Sequence, residues 1–197
     1  MDKTSVIKEL LELNGGTFST AEAVRIGLSR TVLCQYVKDG KLERISHGFY
    51  TQPDALPDYL YMLQQRSGKI IFSHETALFL LDLAERTPLE HTMTIPSNRK
   101  LSPKLSEGCK VYFIKPELHK LGICLLPSKM GHEVIAYNAE RTVCDILRSR
   151  NRIDSQTVAV ALKNYSTSKK QNWNLLREYA ELFRVTKLLR QYWEVLQ

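Results

Sequence analysis

The residues best placed to do chemistry lie between Ser29 and Lys38. Thr31, Cys34, Gln35 and Lys38 recur at i, i+3, i+4 and i+7, with Arg30 beside them. On a helix that spacing puts them on one face, opposite an apolar stripe of Val32, Leu33, Tyr36 and Val37. The polar stripe is short and carries no carboxylate, so it can enter a major groove without repelling phosphates. Glutamine pairs bidentately with adenine and arginine with guanine, while threonine offers a methyl or a hydroxyl. Lys38, at the far end, suits a phosphate. Lys41, Arg44 and His47 follow at once, as on a wing lying along the backbone or minor groove. Ser19 and Thr20 begin the preceding helix, where backbone N–H and hydroxyl groups can meet a phosphate. With Ser29 as the cap and Cys34 left out, these residues form the expected DNA contact set of ten. The competing reading, a winged helix used for protein contacts, has the zero net charge of residues 1–56 in its favour.

Catalytic and metal constellations are weaker. His74-Glu75 resembles the start of a zincin motif, but Leu78 stands where the second histidine belongs. The five histidines are spread singly. Cys34, Cys109, Cys124 and Cys144 form no CxxC pair, so they read as reduced thiols. Glu140, Arg141, Thr142 and Asp145 make a denser cluster, in which Arg141 and Asp145 are i, i+4 neighbours able to pair. The expectation is a protein that is not an enzyme and uses no cofactor and no metal. An enzyme processing nucleic acid through Glu140, Asp145 and His74, and a ligand-sensing transcriptional regulator, are the alternatives.

The elements that must position these residues follow from caps and turns. Val6, Ile7, Leu10 and Leu11 have helical spacing, ended by Asn14-Gly15-Gly16. Ser19-Thr20-Ala21-Glu22 is a capping box opening a second helix, and Ser29 caps a third that ends at Lys38-Asp39-Gly40. Leu42–Ile45, a Ser46-His47-Gly48 turn and Phe49–Thr51 then form a hairpin. That is the order of a winged helix-turn-helix, expected over residues 1–52. Pro53 and Pro57 mark a linker. Beyond it, helices at 59–65 and 74–83 alternate with short strands at 69–72, 91–95, 110–114, 123–126 and 133–137, and helical spacing dominates after Ala139. The fold class is therefore α+β, a winged helix followed by a mixed α/β domain over 59–197 with a helical end.

The chain of 197 residues has 28 Lys and Arg against 21 Asp and Glu, a net charge of +7. The excess lies in the second part, with net +5 over residues 97–131 and +6 over 141–177. Arg99, Lys100, Lys104, Lys169 and Lys170 fall in polar loop segments there and are the expected auxiliary basic surface. No apolar run approaches the roughly 20 residues that span a bilayer. No signal-peptide core is present, so a cytoplasmic protein is expected.

Several motifs together resemble the AbiE-type antitoxins of type IV toxin–antitoxin, or abortive-infection, systems. In the first part they are Thr17-Phe18-Ser19-Thr20-Ala21-Glu22-Ala23, Gly27-Leu28-Ser29 and Val37-x-x-Gly40-x-Leu42-x-Arg44-Ile45-x-x-Gly48-x-Tyr50. In the second they are Ser73-His74-Glu75-Thr76-Ala77-Leu78, Thr94-Ile95-Pro96 and Glu140-Arg141-Thr142-Val143-Cys144-Asp145-Ile146-Leu147. The resemblance implies a winged helix that binds inverted repeats in the promoter of its own operon and represses it. It also implies a second domain opposing a nucleotidyltransferase toxin without a stable complex, and so a role in phage resistance. Carried over by position, DNA is read by Arg30, Thr31, Gln35 and Lys38, with Arg44 in the wing. The antitoxin determinants lie among His74, Arg141, Thr142 and Asp145. Position 47 is often arginine in such sequences, and His47 weakens that phosphate contact.

Overall fold

The computed structural model describes residues 3–196, so Met1, Asp2 and Gln197, at the ends of the two expected domains, lie outside it. The chain is mixed α/β and divides into two compact units. One runs to Gln65 and takes in Pro127–Glu133; the other holds Arg66–Leu126 and the chain from Val134 on.

In the first unit, α1 (Lys3–Leu13), α2 (Thr20–Arg25) and α3 (Arg30–Lys38) pack around a buried core of Ile7, Leu10, Phe18, Ala23, Leu28, Leu33, Leu42 and Tyr50. The starts of α2 and α3 are set by their caps. Ser19 accepts from the Glu22 N–H while the Glu22 carboxylate takes the Ser19 N–H at 2.7 Å, the reciprocal box its sequence implied. Ser29 caps α3 through the Val32 N–H. Gly27, at φ +90°, makes the turn between the two helices. β2 (Glu43–Ser46) and β3 (Phe49–Thr51) form the expected hairpin, with a bulge between Arg44 and Ser46 and Gly48 at φ +81°.

Two features of this unit differ from the sequence reading. Thr17–Ser19 form a strand, β1, that pairs antiparallel with β3, giving a three-stranded sheet ordered β1-β3-β2. Three residues carry too little alternation to reveal a strand, and their partners lie thirty or more positions on. The proline-bearing segment is also not where the units divide. α4 (Tyr59–Arg66), expected in the second domain, lies almost wholly in the first unit. The Asp58 N–H donates to Thr17 Oγ1 at 3.1 Å and the Tyr61 hydroxyl donates to Glu22, tying the start of α4 to β1 and α2.

The second unit is built on a five-stranded mixed sheet ordered β6-β5-β4-β8-β7. Its strands are β4 (Ile71–Phe72), β5 (His91–Pro96), β6 (Cys109–Ile114), β7 (Ile123–Pro127) and β8 (Glu133–Tyr137). β4 runs antiparallel to β5 and parallel to β8, and β5 runs parallel to β6. α5 (His74–Leu80) follows β4, and two one-turn helices, α6 (Pro103–Ser106) and α7 (Pro116–His119), flank β6. α8 (Ala139–Arg148), a 3-10 turn at Arg150–Arg152, α9 (Ser155–Thr167), α10 (Trp173–Leu182) and α11 (Thr186–Leu196) make the helical end. Val143, Ile146, Leu147, Val158, Leu162, Leu176 and Tyr179 are buried together there. No helix among the described residues is long and apolar enough to cross a membrane.

Candidate nucleic-acid interface

α3 presents the expected polar stripe. Arg30, Thr31, Cys34, Gln35 and Lys38 are all exposed, while Leu33 is fully buried and Val32, Tyr36 and Val37 pack partly buried around the core. Arg30 shares an open groove of about 580 Å³ with Ser19, Thr20, Arg25 and Gly48, so the start of α3, the start of α2 and the hairpin turn converge there. In the wing, Arg44 and His47 are exposed, and Arg44 Nη2 lies 3.2 Å from His47 Nδ1.

Three expected contacts have other duties. Ser19 gives both its N–H and its hydroxyl to the Glu22 carboxylate. Thr20 gives its backbone N–H at 2.8 Å and its hydroxyl at 3.2 Å to the Gly48 carbonyl. Their donors therefore hold the cap of α2 and the wing turn in place rather than pointing at a phosphate. Lys41 lies over the Tyr36 ring at 5.3 Å and lines a groove with Ile7 and Leu11, which aims it toward α1 rather than along the wing.

The stripe also has a neighbour that the sequence reading missed. Asp39, exposed at the end of α3, accepts a 2.7 Å hydrogen bond from the Gln35 side-chain amide. An i, i+4 glutamine–aspartate pair is a common helix feature, and that spacing was the signal available.

In the second unit the expected antitoxin determinants are interior residues. His74, Arg141, Thr142 and Asp145 are at most 3% exposed. Arg141 Nε donates to Asp145 at 2.9 Å, and its Nη1 donates to the Leu118 and Leu121 carbonyls, both at 2.9 Å. Its guanidinium lies 4.1 Å from the Tyr137 ring and 4.2 Å from the Phe183 ring. The Thr142 hydroxyl donates to the Tyr137 carbonyl. His74 stacks on Tyr112 at 3.5 Å, with Ser73 and Ser149 hydroxyls against its two ring nitrogens. Burial, then the charges of Arg141, Arg148, Lys110 and Arg152, hold its pKa well below the usual histidine value, so the ring is neutral. Glu140 accepts from the Tyr165 hydroxyl and the Asn172 N–H. The acid and base candidates of the enzyme reading are thus each bound to partners inside the unit.

The auxiliary residues are surface residues. Arg99, Lys100 and Lys104 lie in and before α6, Lys169 and Lys170 between α9 and α10, and all five are exposed. The sequence reading overlooked a second basic segment, Arg148-Ser149-Arg150-Asn151-Arg152 at the end of α8. Its alternating arginines are visible in the sequence. Arg152 lies over the Tyr112 ring at 4.5 Å, and Lys110 donates to its carbonyl. Among the described residues no group of three or more His, Cys, Asp and Glu is arranged to hold a metal ion.

Comparison with known proteins bears on both units. The chain aligns with the crystal structure of the RV2827C protein from Mycobacterium tuberculosis at a TM-score of 0.62 and 13% identity, over 96% of this chain and 76% of that one. At that identity the likeness shows a shared fold. No curated protein matches the chain in sequence. Residues 5–51 match the family described as transcriptional regulator, AbiEi antitoxin. The motifs from Thr17 to Tyr50 lie within this matched segment, so the match supports the resemblance they carry to AbiEi antitoxin transcriptional regulators.

Proposed function

We propose that this protein represses its own operon by binding inverted repeats in the promoter, and counteracts a nucleotidyltransferase toxin through its second unit without forming a stable complex with it. The observation that carries the DNA-binding half is the exposed stripe of Arg30, Thr31, Gln35 and Lys38 on α3, next to the exposed Arg44 and His47 of the wing. A major groove is read by such side chains, and its rim is held by cations. The family match over the same residues supports it. His74, Arg141, Thr142 and Asp145 are buried, so they serve the antitoxin half by holding the fold of the second unit.

Gel shifts on promoter DNA carrying the repeats and on random DNA test the reading. Arg30→Ala and Gln35→Ala should each reduce discrimination between the two by about 1–3 kcal/mol, the worth of a bidentate base contact. Equal losses on both DNAs would show that these side chains touch only phosphate.

A further inference from the structure

Asp39 sits where a carboxylate is unwelcome on two counts. It lies at the C-terminal end of α3, facing the negative end of the helix dipole. It also adds negative charge beside the face that would receive phosphates. Its observed use is the 2.7 Å bond it accepts from Gln35 Nε2.

That bond fixes the glutamine. A carboxylate only accepts, so the Gln35 amide must turn its nitrogen, not its oxygen, toward Asp39. When the engaged N–H is the one trans to the carbonyl oxygen, that oxygen and the second N–H lie side by side on the free edge of the amide. This acceptor–donor pair matches the N6 amino group and N7 of adenine in the major groove. Guanine, with acceptors at both N7 and O6, would set two oxygens against each other. A glutamine free to flip would present either order. We propose that Asp39 is a positioning residue that locks the Gln35 amide in the adenine-reading orientation; this rests on the DNA-reading function proposed above.

Selection of bound sequences from a random duplex library by the full-length chain tests the assignment. The wild type should prefer one A·T pair per half-site. Gln35→Ala should flatten that preference, and Asp39→Ala should flatten it at the same pair by roughly tenfold, with no loss of affinity for random DNA. The double variant should be no flatter than either single one. Asp39→Asn should weaken the preference as well, because an asparagine amide also donates and no longer fixes which end of the Gln35 amide faces it. Both positions are exposed, so the variants should fold. An intact preference in Asp39→Ala would overturn the assignment. So would a double variant flatter than either single one, which would mean that Asp39 contacts a base such as cytosine on its own. A wild-type preference that survives Gln35→Ala leaves DNA reading standing and removes this pair from it. A flat wild-type profile would remove the DNA-reading function itself.

Discussion

Arg141 shows how far a residue's sequence context and its surroundings can diverge. Its i, i+4 pairing with Asp145 was legible from spacing alone, and the 2.9 Å bond confirms it. Its burial was not legible. The two carbonyls that receive its Nη1, at Leu118 and Leu121, come from around α7, and Phe183 comes from the end of α10. Gly122 permits the close approach, since a Cβ there would lie 2.8 Å from that of Arg141. Burial pushes the Asp145 carboxyl pKa up, against the opposing pull of Arg141 and Arg148, so the acid depends on its partners to stay ionised. Arg141→Met removes the main one and leaves a buried carboxylate uncompensated. The variant should lose about 3–5 kcal/mol of stability in urea unfolding of the second unit. Changing Asp145 to leucine in the same chain should recover most of that loss, because a buried pair replaced by apolar groups costs little. A further loss in the double variant would show that the carboxylate has a second structural duty. Under the antitoxin function proposed above, protection against the toxin should fall with Arg141→Met only as far as the unit unfolds.

At the scale of elements, the segment Pro127–Glu133 between β7 and β8 is the least expected part of the first unit. Asp58 organises it. One carboxylate oxygen accepts from the Ser128 hydroxyl and from His132 Nδ1 at 2.9 Å, and the other from the Tyr61 N–H. The His132 ring stacks on Tyr61 at 3.8 Å, and the Tyr61 hydroxyl reaches Glu22 in the capping box of α2. Burial alone would raise the Asp58 pKa, but these bonds outweigh it and hold the value below the usual one. A carboxyl depressed in this way stabilises the unit above its unfolded pKa and loses that contribution as the pH falls through the folded value. Gly15 shows how closely the segment is seated: it has φ +51°, and a Cβ there would lie 1.5 Å from the Met130 carbonyl oxygen. Gly15→Ala should therefore destabilise the unit by well over the roughly 1–2 kcal/mol of left-handed strain. Gly16→Ala, at φ +83° with open space around it, should cost only that strain. Equal melting temperatures for the two variants would mean that the segment yields freely. The local elements of this unit were readable because caps and glycine turns announce themselves within a few residues. The segment was not, because Asp58 and His132 are 74 positions apart and meet only in the fold. The strand order of the larger sheet was hidden for the same reason, since β4 pairs with β8 across more than sixty residues.

For the molecule as a whole, the distribution of charge sets the strongest constraint on function. Residues 1–56 have no net charge, whereas non-specific affinity for DNA comes mainly from cations releasing the counterions around phosphates. The excess lies in the second unit, on exposed residues such as Arg99, Lys100, Lys104, Lys169 and Lys170. If they add phosphate contacts to those of the wing, the salt dependence of binding must record them, whatever bases the first unit reads. A fragment ending at residue 56 would be a poor comparison, because it lacks Asp58, Tyr61 and the 127–133 segment and so loses structure along with charge. Neutralising the lysines and arginines within the full chain avoids that confusion, since all five are exposed. Each residue that meets a phosphate should lower the slope of log K against log salt by roughly 0.9 when changed to glutamine. The preference for operator over random DNA should stay unchanged, because phosphate contacts carry no sequence information directly. Arg148, Arg150 and Arg152 provide a second set to compare, lying at the other end of α8 from the Asn138 cap. A slope that falls for one set and not the other identifies the face that lies along the DNA. Slopes unchanged for both sets would assign the charge of the second unit to a partner other than DNA.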